Sequence, residues 1–102
     1  MRQANVYNHG LHAGVLIETD DKKYIFEYLE KYSGPPISLT MPVKNKYFEY
    51  DQFPSFFDGV LPEGAMLHAL LKSAKLDATD YFGQLITIGN DLVGSVTVKA
   101  VK

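Results

Sequence analysis

The sequence contains no cysteine. Disulfide frameworks, thiolate metal centres and cysteine nucleophiles are therefore excluded. It has no Gly-x-Ser-x-Gly elbow of the kind that presents a nucleophilic serine. Gly83, Gly89 and Gly94 are spaced too loosely for a Walker-type or kinase-type phosphate loop. No catalytic-loop or metal-binding signature of a kinase is present either. Long apolar runs are missing, so neither a membrane span nor a signal-peptide core is expected. Positive charge is sparse and scattered: the densest group is Lys44-Asn45-Lys46, and the net charge is −2. A nucleic-acid binder usually carries a basic stripe, so no direct contact with DNA or RNA is expected. These absences leave a non-enzymatic, cytoplasmic, soluble domain that needs no cofactor.

The chain has 102 residues, of which 46% are hydrophobic. That length fits one compact domain spanning residues 1–102. Such a domain buries roughly two-thirds of the surface its unfolded chain exposes. It can fold alone, without much surplus stability.

The first half has the period of strands. Gln3 to Tyr7 is extended, and Asn8-His9-Gly10 is turn chemistry. Gly14 to Glu18 is rich in β-formers, and Thr19-Asp20-Asp21-Lys22 turns the chain again. Tyr24, Phe26 and Tyr28 then alternate, which puts three aromatics on one sheet face. Together these predict an antiparallel meander. Pro35 and Pro36 break it. Ile37 to Met41 reads as one more short strand, and Pro42 to Tyr50 as an irregular connection.

The second half changes period. Pro54 opens a short helix that Gly59 ends. Met66 to Ala74 reads as a second helix with Leu67, Leu70, Leu71 and Ala74 as its buried stripe. Asp77 or Thr79 is the expected cap of a third, which Gly89-Asn90 stops. Val93 to Val101 alternates as a closing strand expected to pair with the N-terminal sheet.

Few side chains suggest chemistry. His9 and His12 bracket a turn but have no third ligand at a metal-site spacing. His68 falls on the polar face of its helix. Asp20-Asp21 is better explained as turn formers than as a cation site. The segment Phe56-Phe57-Asp58-Gly59-Val60-Leu61-Pro62-Glu63-Gly64 is more particular. Pro62 fixes the backbone and Gly64 permits close approach to another surface. Ala65 and Met66 follow it. With six Phe and seven Tyr in so small a chain, burying every ring is difficult. Core and interface remain equally open for these aromatics.

The order of these motifs resembles the N-terminal subdomain of HipA-like serine/threonine kinases. The matching pieces are the run ending in Met41-Pro42, then Phe56-Phe57-Asp58-Gly59, then Leu61-Pro62-Glu63-Gly64. They continue with Asp80-Tyr81-Phe82, Leu85, and Ile88-Gly89-Asn90-Asp91-Leu92-Val93-Gly94-Ser95-Val96. Val6-Tyr7-Asn8-His9-Gly10 and Gly14-Val15-Leu16 are similar to the family's opening hairpin. Essentially the whole chain is covered. It departs at Leu67 and His68, where many members carry Arg and an acidic residue. Leu67 extends the apolar stripe instead.

The resemblance implies an α+β fold, a small antiparallel sheet, partly barrel-like, packed with two to three short helices. The chain stops about where a kinase core would begin, as in the HipS-type small proteins of tripartite HipB-HipS-HipT systems. That similarity implies an antitoxin that binds a HipT-like serine/threonine kinase in trans. A HipB-like helix-turn-helix DNA-binding protein would complete a ternary complex. The expected inhibitory contact is Pro62, Glu63, Gly64, Ala65 and Met66, with His68 beside it. Phe56 and Phe57 would hold that turn or touch the kinase. The alternative is a non-inhibitory accessory subunit that completes the kinase fold or bridges it to the DNA-binding protein.

Overall fold

The computed structural model describes residues 1–92 and 94–101. Five strands form one antiparallel sheet: β1 (Arg2–Asn8), β2 (Leu11–Glu18), β3 (Tyr24–Tyr28), β4 (Tyr47–Tyr50) and β5 (Val96–Ala100). Their order is β4-β3-β2-β1-β5, and the sheet is open. Three helices follow β4: α1 (Ser55–Gly59), α2 (Gly64–Ala74) and α3 (Tyr81–Thr87). The α+β architecture is as expected.

Alternation sets the register. Ala4, Val6 and Asn8 of β1, Leu16 and Glu18 of β2, and Tyr24, Phe26 and Tyr28 of β3 point into the core. A slip of one residue would turn each set to the other face. The β1–β2 hairpin turns through His9 (φ 50°) and Gly10 (φ 81°). Two positive φ values are what a two-residue turn needs to match the strand twist. Asp20 and Asp21 occupy the β2–β3 turn, which the Thr19 N–H to Lys23 carbonyl bond closes at 2.8 Å. The closing strand pairs antiparallel with β1, Val6 opposite Val98. Val93 lies outside the described residues.

Two expectations about the middle of the chain are corrected. Residues 37–41 form turns, not a strand, and the fourth strand is Tyr47–Tyr50. The Met41 N–H bonds back to the Ser38 carbonyl at 3.0 Å, which curls the chain away from extension. In β4, Phe48 and Tyr50 are half-buried while Tyr47 and Glu49 are exposed, a period of two. A single 3-10 turn, Val43–Asn45, feeds it.

α1, the connection after it and α3 cover the buried face of the sheet, where Phe57, Leu61, Phe82 and Leu85 join the strand residues in one core. The α3 cap is Asp80, not Asp77 or Thr79: its Oδ1 accepts the Gly83 N–H at 3.0 Å. Asp77 is committed to the preceding turn. Its carbonyl accepts from the Asp80 N–H and from Gln84 Nε2. α2 starts two residues before the expected Met66. Its stripe Leu67, Leu70, Leu71 and Ala74 is half-buried, with no residue fully buried. The helix lies at the periphery, with α3 as its main neighbour, so its apolar side is only partly covered.

Candidate functional site

The elbow between α1 and α2 starts from Pro54, which caps α1 with extended backbone. Its carbonyl accepts the Asp58 N–H at 3.0 Å. One turn of helix brings Phe57 onto the sheet. There it is wholly buried, 6.0 Å from Phe26 and edge-on to Phe56 at 5.2 Å. Phe57 is thus part of the core. Phe56 stays half-buried.

Beyond α1 the chain turns sharply. Leu61 is buried and Pro62 half-buried, while Glu63, Gly64, Ala65 and Met66 are exposed. Gly64 has φ +60°, a conformation that costs a residue with a Cβ free energy. The Glu63 side chain makes no capping bond, so the amino end of α2 faces solvent. Met66 is 69% exposed. Ala65, His68, Ala69 and Lys72 form one exposed face of the helix at i, i+3, i+4 and i+7. The elbow and His68 are thus brought together on one surface. Met66 also borders a shallow cleft of about 330 Å³ with Val60, Leu61, Pro62 and Ile88.

The remaining histidines serve local structure. His12 places Nε2 3.1 Å from the Gly14 carbonyl and its ring 4.9 Å from Tyr7. His9 is an exposed turn residue. Among the described residues no cluster of His, Asp or Glu is placed to hold a metal ion. Among them, too, no helix is long and apolar enough to cross a membrane.

A second constellation escaped the sequence reading. Arg2 Nε and Nη2 donate to Glu18 Oε1 and Oε2 at 2.8 and 3.0 Å. Nη2 also donates to Asp80 Oδ1 at 2.8 Å. The Tyr24 hydroxyl donates to Glu18 Oε2 at 3.2 Å, and the guanidinium lies 5.0 Å from the Phe82 ring centre. Burial alone would raise the Glu18 carboxyl, but Arg2's hydrogen bonds and charge outweigh it and hold the group below the usual range. Arg2's hydrogen bond likewise depresses Asp80. Burial, then the Glu18 charge, pushes Tyr24 up to about 12. One signal was available: Glu18 shares strand parity with Leu16, and an acid on a core-facing position calls for a buried cation partner. These residues edge an open cleft of about 870 Å³. Their charges are spent on one another, so the cluster is a tie between β1, β2 and α3.

The comparisons agree with this architecture. The family model described as HipA N-terminal domain matches residues 4–99. An uncharacterized protein of Haemophilus influenzae is 29% identical over 102 residues, covering 100% of this chain and 95% of that protein. A solved structure described as the N-terminal domain of HipA toxin superposes with a TM-score of 0.82 at 28% identity. That match covers 100% of this chain and 94% of the other.

Proposed function

The chain belongs to the HipA N-terminal domain family, and from that premise we propose that it is an antitoxin that binds a HipA-like serine/threonine kinase in trans and inhibits it. Family membership makes it a HipA-related component of a toxin–antitoxin system. The observation that carries the finer reading is the elbow. Pro62 and the positive φ of Gly64 fix its backbone, Phe57 anchors its base in the core, and Met66 projects into solvent.

On this reading the domain acts by binding. Contact through Glu63, Ala65, Met66 and His68 favours an inactive arrangement of the kinase. The extent of that shift is set by the domain's differential affinity for the two kinase states. Ala65 is small, so the contact rests on backbone shape and on Met66. In cells the kinase is a HipT-like protein, and a HipB-like DNA-binding protein joins the two.

The test is kinase activity with and without the purified chain, together with growth on co-expression. The wild-type chain lowers activity and relieves growth arrest. Replacing Glu63, Ala65 and Met66 together weakens both effects while the fold persists. Full rescue by that variant would rule out the elbow. Unchanged kinase activity with wild-type chain bound would leave only an accessory role.

A further inference from the structure

Leu39 is 96% exposed, the most exposed of the large apolar side chains described. A single exposed leucine on a mobile segment is ordinary. This one sits on a fixed loop. Its neighbours Ile37 and Met41 are both buried in the core. The Tyr28 hydroxyl accepts the Ile37 N–H at 3.0 Å and donates to the Met41 carbonyl. The Tyr32 hydroxyl donates to the Pro35 carbonyl, which also accepts from Asn8 Nδ2 at 3.2 Å. Tyr28 and Tyr32 stack with centres 5.7 Å apart. Ser38 and Thr40, one on each side of Leu39, supply the polar bonds of the turn. The loop therefore holds Leu39 outward from a braced base.

The same loop walls an open cleft of about 480 Å³. Thr40, Met41, Tyr50, Phe53 and Phe56 are among its lining residues. Its charged lining residues are Glu49 and Asp51. Lys23 Nζ lies 3.9 Å from Asp51 Oδ1, and among the described residues no cation forms an ion pair with Glu49, so the rim stays net acidic. An apolar knob thus stands beside an aromatic cleft with an acidic rim. This surface meets the base of the elbow at Pro54 and Phe56 but includes none of Pro62, Glu63, Gly64, Ala65, Met66 and His68.

Resting on the inhibitor reading above, we propose that this surface is a second, anchoring contact with the kinase. Leu39 enters an apolar socket of the partner. A partner segment bearing an apolar side chain next to a lysine or arginine fills the cleft. Because the loop is braced before binding, little ordering cost opposes the contact. Phe56 then contributes to the cleft wall, not to the elbow.

The experiment measures the affinity of the purified kinase for the intact chain and two variants, alongside kinase inhibition. Leu39→Asp weakens binding by roughly tenfold to a hundredfold, the scale of one buried leucine. The double variant Glu49→Lys/Asp51→Lys also weakens binding, and the salt dependence of affinity becomes shallower. Melting temperatures stay near wild type, because all three side chains are exposed; Leu39→Ser serves should the aspartate perturb the turn. Wild-type affinity in the Leu39 variants overturns the anchor, and wild-type affinity in the charge-reversed variant overturns the cleft partner. If the wild-type chain itself fails to bind the kinase, the inhibitor reading falls and this contact falls with it.

Discussion

Arg2 Nη2 lies 2.8 Å from Asp80 Oδ1, although the residues are 78 positions apart in sequence. The same Asp80 oxygen accepts the Gly83 N–H. One carboxylate therefore caps α3 and binds that helix to the first strand. Arg2's other partner, Glu18, has a side chain only 8% exposed, against 30% for Asp80, so Glu18 suffers most from loss of the cation.

Replacing Arg2 by Met is expected to destabilise the domain. The substitution leaves the Glu18 carboxylate buried without its counter-charge. The cost is about 1–3 kcal/mol, towards the lower end because Arg2 itself is 38% exposed. Urea denaturation of the two proteins at pH 7 measures it.

Acid should weaken the fold through the same tie. Glu18 and Asp80 have folded-state pKa values below their ordinary ones. Such groups give stability that is fully present above their unfolded values, about 4, and lost as pH falls through the folded values. Melting temperature measured from pH 7 to pH 2 should therefore drop below about pH 5, and drop less steeply in Arg2→Met. Tyr24 has the opposite sign. Its pKa is raised to about 12, so its contribution is lost as pH climbs from about 10 through that value.

Two glycine substitutions should part company. A Cβ at Gly89 would stand 1.8 Å from the Val98 carbonyl oxygen, where the backbones of the α3–β5 turn and β5 touch. Gly89→Ala is expected to cost about 3 kcal/mol, the upper range for overpacking. Gly59 at the end of α1 has open space at that position. Gly59→Ala should be neutral or stabilising by up to about 1 kcal/mol. Thermal denaturation of both variants decides the matter.

Tyr28→Phe removes the hydroxyl that braces the loop at Ile37 and Met41. It should cost about 1–2 kcal/mol, since a buried N–H loses its acceptor. Hydrogen exchange at the Ile37 amide should accelerate. Affinity for the kinase should fall even though Leu39 is untouched.

The meander was legible because Tyr24, Phe26 and Tyr28 announce a period of two. Pro54 and Gly59 likewise bracket α1 as their backbone preferences dictate. β4 was not legible, because Lys44-Asn45-Lys46 and Pro42 masked a strand of only four residues, Tyr47–Tyr50. A short edge strand is specified by its neighbour's hydrogen bonds more than by its own composition. Local sequence does not single out the α3 cap, since Asp77, Thr79 and Asp80 all qualify. Only the distant Arg2 and the local turn at Asp77 select Asp80. The order of the elbow residues singles them out as a candidate contact, but the sequence does not separate Phe56 from Phe57. Their different burial follows from which ring meets Phe26.

β1 lies between β2, which follows it directly, and β5, the fifth of the described strands in chain order. While the chain leaves the ribosome, β1 waits with one row of backbone amides and carbonyls unclaimed. The hairpin and meander form early and locally, whereas the β1–β5 pairing must close a loop of nearly the whole chain. A message cut short before residue 96 would therefore yield a sticky sheet edge rather than a smaller working domain.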